Sequence, residues 1–534
     1  MRPSGTVAAV RDVAQNIALV GRLSRDLPPY LRQTFTAEEA RRRLRANLEH
    51  RERRFLTLAV RMIYGNARSP YRRLLAHVGC EPGDLHALVA REGVEGALRH
   101  LAALGVYVAF DEVKGRRAAV RGSACFTFSD RDFDNPLAPA HYFQYTGGSG
   151  GTPTRVNRTL GWVTDTASTF ALVLEAHRIR QPRHVFWVGA NPTWALVVAK
   201  LGQPIDAWLY PVHPLPPLAR LGLRYMALLA RLAGRRLPTP VHGGPEQTER
   251  VARWLADHAS LDRPYIVNAV ASTSVRIAAA AAAMGRRLDG VTLRCRSEPL
   301  TPTRRRLIED VGARALPNYA SVDIPAIGFG CPHGADADDV HLQTDLYAVI
   351  ARQRALFEAG PTVDALLFTT LTPNAGKIAF NTELGDSALI EERACGCLLG
   401  ALGLRTHLSE IRSFEKLSTE GISFARSNLI QILEEVLPAR FGGTPIDYQL
   451  VEEEGADGAT RLVLRVHPGV GDLDAAALRG TLLQEMGRGG IMDAYHSCLL
   501  DRTEAVVVER RAPISTRAGK VLPFQLARFG DGIA

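Results

Sequence analysis

Residues 264–301 read PYIVNAVASTSVRIAAAAAAMGRRLDGVTLRCRSEPLT. Pro264–Val270 and Gly290–Cys295 are short apolar runs rich in β-branched residues, the length and make-up of buried strands. Between them Val275–Met284 is mostly alanine, the strongest helix former. The same order extends upstream, with an apolar run HVFWVG at 184–189 and a helical stretch over Glu249–His258. Strand and helix alternating in this way predict a doubly wound α/β domain. In such a domain ligands bind where strands end. Arg296-Ser-Glu-Pro-Leu-Thr301 is a polar turn at that position, although Thr301 and Pro302 also suit the plain start of a helix over Pro302–Val311, as cap and first-turn proline.

Outward from this block the texture changes twice. Residues 1–120 read as mostly helical, with apolar residues at three-to-four spacing over Ala37–Arg54 and Arg91–Leu104, and the strand–helix alternation sets in from about Pro139. After about Ile411 it reads as a small α+β unit. Helices are expected over Ser427–Leu437 and Leu473–Met486, two strands over Asp447–Glu453 and Ala459–His467, and a last strand over Ala505–Glu509. With 534 residues, too many for one ordinary core, the expected division is 1–410 and 411–534.

Composition narrows the class. Hydrophobic residues make up 46% and charged residues 22%, as in ordinary globular chains, which excludes a mainly disordered or collagen-like protein. The net charge is +10, yet only five lysines occur (Lys114, Lys200, Lys377, Lys416 and Lys520). Arginines are spread along the chain among acids, so nucleic acid is not expected as a partner. No segment reaches the ~18 uninterrupted apolar residues of a membrane span. The opening MRPSGTVAAVRDVAQN meets Arg11 and Asp12 too early for a secretory signal. Leu215–Leu237 is apolar and studded with arginines; it suits a domain helix better than a helix lying on a membrane. Seven cysteines do not make a disulfide framework, and a reducing cytoplasm is the expected compartment.

Further motifs carry chemistry. Tyr145-Thr-Gly-Gly-Ser-Gly-Gly-Thr-Pro-Thr-Arg155 offers backbone N–H groups and hydroxyls to an anion, with a helix within Val156–Leu174 behind it. A flexible Gly/Ser loop has the same composition, and no Gly-Lys-Ser/Thr closes it as in a Walker loop. His141-Tyr-Phe143, just before it, suits an acyl or aryl pocket or plain core. Asn318-Tyr-Ala-Ser-Val-Asp323 combines a flat ring with a carboxylate. Cys331, His333, His341, Cys395, Cys397 and His407 form two short clips far apart in sequence, and any four would satisfy a tetrahedral Zn²⁺ with no open position, a structural site. Ser515-Thr-Arg-Ala-Gly-Lys520 places one of the few lysines in a Thr/Gly turn, able to reach an anionic centre as a point charge.

In order and spacing, these motifs resemble the adenylate-forming (ANL) superfamily, and within it the phenylacetate–CoA ligase branch with its acyl-protein synthetase relatives. Ser69-Pro-Tyr-Arg-Arg-Leu-Leu75, Phe368-Thr-Thr-Leu-Thr372 and Arg412-Ser-Phe-Glu-Lys-Leu-Ser-Thr-Glu-Gly421 resemble that branch's N-terminal helix, a strand before its ribose motif and its hinge. The resemblance implies a large multi-layer adenylation domain with a small mobile lid. It implies a two-step reaction: a carboxylate attacks the α-phosphorus of Mg·ATP, and a nucleophile such as the CoA thiol then displaces AMP. It also implies residue roles. Thr146, Gly147, Gly148, Ser149, Gly150, Gly151 and Thr152 would cradle phosphates, and Ser297, Glu298 and Pro299 would line the adenine under a stacked Tyr319. Asp323 would stand near Mg²⁺, Asp386 (or Glu383) would bind ribose, and Arg412 would lie at the hinge. Lys520 would bridge carboxylate and α-phosphate. Cys331, His341, Cys395 and Cys397 would hold Zn²⁺, with His333 and His407 in reserve.

Four departures from the pattern are legible. The phosphate loop lacks the usual lysine. Asp323 replaces a glutamate. Phe380-Asn-Thr-Glu-Leu-Gly-Asp386 is two residues longer than the usual ribose motif. The hinge has Phe414-Glu415 for two aspartates and Glu420 for an arginine. The last bears on CoA as acceptor, leaving a carrier-protein thiol or an amine as alternatives. Together the four also admit a ligase-fold scaffold without turnover.

Overall fold

The computed structural model describes residues 5–145, 155–189, 191–211, 215, 217–324, 326–355, 362–414, 418–419, 422–423, 429–454, 460–489, 506–516 and 519–526. Six parallel strands form half of a 12-stranded sheet. In spatial order they are Val241–His242, Ile205–Tyr210, Arg183–Trp187, Tyr265–Val270, Val291–Arg296 and Arg314–Tyr319. Chain order reverses between Arg183–Trp187 and Tyr265–Val270, so the sheet is doubly wound with its switch point there. All six residues of Tyr265–Val270 are buried, because helices cover both faces. Tyr265, Val267 and Ala269 pack with helices Thr248–His258, Ala271–Ala283 and Pro302–Asp310. Ile266 and Phe186 face the other way, onto Leu160–Ala176, Thr193–Lys200 and the N-terminal helices. A strand buried on both sides has no polar face to show, and hence reads as a continuous apolar run.

Beyond Arg314–Tyr319 the sheet turns antiparallel, through Gly328–Gly330, Val340–Leu342, Thr406–Ser413, Thr382–Glu392, Thr362–Thr370 and Tyr347–Ala355. Helix Pro82–Ala103 packs beside it, broken at Gly93, whose φ of 69° leaves the helical region. Near the N-terminus Ala37–Glu49 starts with a Thr36–Glu39 capping box, and a second helix, Arg51–Leu58, completes the expected stretch.

A separate four-stranded sheet has the order Val506–Arg510, Thr460–Val466, Tyr448–Glu454, Phe524–Leu526, with Ala475–Met486 packed on it. The strand expected over Ala505–Glu509 is found at Val506–Arg510 but is not the last, because Phe524–Leu526 adds in parallel to Tyr448–Glu454. Its short Pro-flanked sequence carries no alternation to read. The helix expected over Ser427–Leu437 runs from Leu429 to Phe441 with a π-helical turn, Ile432–Val436, in the middle.

Candidate active site

Glu298 follows the strand Val291–Arg296, in a turn where Ser297 takes the left-handed φ of 69°. Such a conformation in a residue with a side chain is costly and marks a constrained position. Its consequence is that Glu298 points back to the neighbouring strand end. Glu298 Oε2 accepts from the Ser272 N–H at 2.8 Å and from its hydroxyl at 2.9 Å. The helix Ala271–Ala283 has no cap of its own, so a carboxylate from the next loop serves its positive N-terminal end. Sequence reading passed over Ser272. Its signal was there: a hydroxyl one residue into a helix that leaves a central parallel strand.

Lys520 arrives from the small unit. Its turn is closed by Thr516 N–H to the Lys520 carbonyl at 2.8 Å, Gly519 N–H to the Thr516 carbonyl at 2.7 Å and Lys520 N–H to Thr516 Oγ1 at 3.2 Å. Gly519 has φ 76°, and a Cβ there would lie 3.1 Å from Pro211. Glycine is required at this left-handed position. The turn rests on the large unit: Val521 N–H donates to Ser272 Oγ at 3.3 Å, and Arg276 donates to Ser515 Oγ at 3.3 Å. Thus the Ser-Glu-Pro turn and the late Gly-Lys turn, more than two hundred residues apart in sequence, share one serine at the carboxyl edge of the parallel strands.

Tyr319 and Asp386 also meet. The Tyr319 hydroxyl donates to Asp386 Oδ2 at 2.9 Å; burial, then the carboxylate, holds the phenol far above its ordinary pKa. The alternative Glu383 is wholly buried and pairs with Arg354 and Arg352. Asp323 Oδ2 lies 3.2 Å from Lys114 Nζ, and its buried Oδ1 has no hydrogen-bond partner among the described residues. Arg412 is tied to Asp338 at 2.9 Å, which also accepts the Glu410 and Ile411 N–H groups. Pro299 lends its carbonyl to Arg304 at 3.5 Å.

The loop 146–154, with Thr146, Gly147, Gly148, Ser149, Gly150, Gly151 and Thr152, lies outside the described residues. Its flanks are clear. Tyr142–Tyr145 pairs antiparallel with Arg155–Arg158, so the loop joins two hairpin strands. The helix expected within Val156–Leu174 is Leu160–Ala176, capped by Thr159. Buried Arg158 at the hairpin's end donates to the Val322 carbonyl and, at 2.7 Å, to Gln144 Oε1. This ties the hairpin's open end, opposite the loop, to the segment carrying Asp323. Of the aryl-pocket candidates, Tyr142 is buried and bonds Thr193, while His141 pairs with Asp26 at 3.3 Å.

Cys331, His341, Cys395 and Cys397 bring one donor atom each within 4.8 Å of one another. His341 Nε2 is 3.1 Å from Cys397 Sγ and 3.6 Å from Cys395 Sγ. His341 Nδ1 donates to the Leu404 carbonyl at 2.8 Å, which leaves the Nε2 lone pair aimed at the sulfurs. Hydrogen bonding to the Cys331 thiol holds the Cys397 thiol below its ordinary pKa, against burial. Three sulfurs and an imidazole are the donor set Zn²⁺ favours. His333 binds the Cys395 carbonyl at 3.0 Å and His407 binds Asp339 at 2.7 Å; neither joins the four.

No protein-family model matches the chain, and no curated protein matches it. Solved structures to which it is similar include a 2-hydroxyisobutyryl-CoA ligase in complex with 2-HIB-AMP and CoA, at 16% identity and TM-score 0.43, covering 93% of this chain and 91% of that chain. Another is O-succinylbenzoate coenzyme A synthetase from Bacillus subtilis in complex with ATP and magnesium, at 11% identity and TM-score 0.41, covering 72% and 70%. A third is ATP-bound MatB from Rhodopseudomonas palustris, at 12% identity and TM-score 0.40, covering 84% and 76%. At these values no residue of this chain inherits a role from them.

Proposed function

We propose that the protein is an ATP-dependent carboxylate-activating ligase of the phenylacetate–CoA ligase-like type, working in a cytoplasm. The observation that carries the reading is the convergence of the Glu298 turn and the Lys520 turn on Ser272. In the first step a carboxylate oxygen bonds to the α-phosphorus of ATP and pyrophosphate leaves. In the second a thiol sulfur bonds to the acyl carbon and AMP leaves. CoA is the first choice of acceptor; a carrier-protein thiol or an amine is second.

Phosphoryl-type transfer depends on positioning and neutralised charge. Lys520 supplies the charge, on a turn short enough to hold it and detachable with residues 411–534 acting as a lid on 1–410. Thr146–Thr152 take the phosphates. Ser297–Pro299 and Tyr319 hold the adenine, and Asp386, already a hydrogen-bond acceptor for Tyr319, takes the ribose. Mg²⁺ would sit at Asp323, whose unpartnered Oδ1 suits a cation and where it would draw charge from the phosphates. Zn²⁺ would sit among Cys331, His341, Cys395 and Cys397 in a structural role. A specific observation favours a scaffold as the second reading: Asp323 is already paired with Lys114.

The test is ATP–pyrophosphate exchange over a panel of aryl, fatty and amino carboxylates, with and without CoA. Exchange with some acid, lost in Lys520→Ala, is expected; dependence of AMP release on CoA selects the acceptor. Full exchange in Lys520→Ala overturns the mechanism, and silence across the panel with folded protein favours the scaffold.

A further inference from the structure

The arginine-studded segment after Leu215 is a helix, Pro217–Leu232, about 24 Å long at the usual rise. Met226, Leu229 and Ala230 anchor it to the large domain. Its outer face is unusual. Leu218, Leu221, Leu228 and Leu232 are 80%, 63%, 54% and 61% exposed, and their spacings of three, seven and four put them in one row. Exposed Arg220, Arg224 and Arg231 form a second row beside it, and the helix contains no acidic residue.

The row is continued by a neighbour. Ser24 of the N-terminal helix Gly5–Arg32 meets Tyr225 at 2.5 Å, and farther along Arg235 donates to the Leu31 carbonyl. The two helices therefore run in the same direction. Val20 and Ile17, 48% and 67% exposed, lie one and two turns before Ser24, level with Leu221 and Leu218. Together they make a contiguous apolar strip flanked by cations.

We propose that this face docks the protein on an anionic phospholipid bilayer. The leucines enter the acyl boundary while the arginines, on long stems, reach phosphates at the same depth. A neutral protein partner would leave the arginine row unmatched. An acidic partner protein matches it but leaves a long, level strip of leucines without need. No helix among the described residues is long and apolar enough to cross a membrane, so the contact is peripheral.

The test is co-sedimentation of the full chain with phosphatidylcholine vesicles, with and without phosphatidylglycerol. Binding only to the anionic vesicles, weakening with salt, is expected. Arg220→Gln, Arg224→Gln and Arg231→Gln together should weaken it on the order of a hundredfold. Leu218→Ser, Leu221→Ser, Leu228→Ser and Leu232→Ser together should abolish it, with circular dichroism and melting unchanged because all four are exposed. Wild-type protein staying in the supernatant, or equal binding by the leucine variant, overturns the proposal. So does capture of an acidic carrier protein, or self-association, that the same substitutions remove while vesicles are ignored.

Discussion

Arg304 and Glu434 form an ion pair at 2.9 Å with side chains only 1% and 2% exposed, across the boundary between the large sheet and the small one. Glu434 also accepts from Thr301 Oγ1 at 2.6 Å, and Glu435 from Thr303 Oγ1 at 3.1 Å. Both acids lie on the π-helical turn Ile432–Val436, and both reach the first turn of helix Pro302–Asp310. A π-turn offsets side chains that a regular helix would carry past this point. Burial pushes the Glu434 pKa up while Arg304 pulls it back.

Removing one partner strands the other charge in an apolar place. Arg304→Met or Glu434→Gln should cost about 3–5 kcal/mol of cohesion between the two units. Calorimetry should resolve one unfolding transition into two. Arg304→Met with Glu434→Leu should restore a single transition, since packed apolar residues replace a buried pair at little cost. A single unchanged transition in both single variants would refute the role of the pair.

Ser272 is held by Glu298 on one side and Val521 on the other. Ser272→Ala keeps the Glu298 bond to its N–H but loses the hydroxyl link to the Lys520 turn. A net hydrogen bond is worth about 1 kcal/mol. On the proposed mechanism, pyrophosphate exchange should fall about five- to tenfold, with the melting temperature nearly unchanged. Unaltered exchange would mean that the serine does not position the lysine.

The doubly wound half was legible because strands such as Tyr265–Val270 are buried on both faces and write an unbroken apolar word. The antiparallel half was not. Tyr347–Ala355 is buried at one end and alternately exposed at the other, and Gly328–Gly330 is too short to carry a period. In the site, side chains of distinctive chemistry could be named from sequence, among them Lys520, Glu298 and the four metal-binding candidates. Ser272, Arg304 and Glu434 could not, because what distinguishes them is a partner far away in sequence.

The Cys331–His341–Cys395–Cys397 set joins strands Gly328–Gly330 and Val340–Leu342 to the connection between Thr382–Glu392 and Thr406–Ser413. A metal there would clip the first two strands of the antiparallel half to a later connection of the same half. Protein purified without added zinc should carry about one Zn²⁺ per chain. Chelation, or Cys397→Ser, should lower the melting temperature by several degrees. Metal analysis showing none would remove the assignment.

Two buried groups should give the folded chain opposing responses to acid. His184 is wholly buried, donating Nε2–H to Gln203 at 2.7 Å and accepting from Asn268 at Nδ1, 3.3 Å. Burial pushes its pKa down to about 4 from 6.5. Between these values the unfolded chain binds the extra proton, so stability falls as pH drops through the window. Asp345 is the reverse case. Burial pushes its pKa up to about 6 from 3.8, against help from Asn47, and its Oδ1 has no hydrogen-bond partner among the described residues. Here the folded chain holds the proton, and stability falls as pH rises from about 4 to 6. Asp345→Asn should therefore raise stability at pH 7 by roughly 3 kcal/mol relative to pH 4. His184→Gln should flatten the loss on the acid side, whatever its absolute cost. Urea midpoints between pH 4 and 7 measure both slopes; if each variant keeps the wild-type slope, these two residues do not set the pH response.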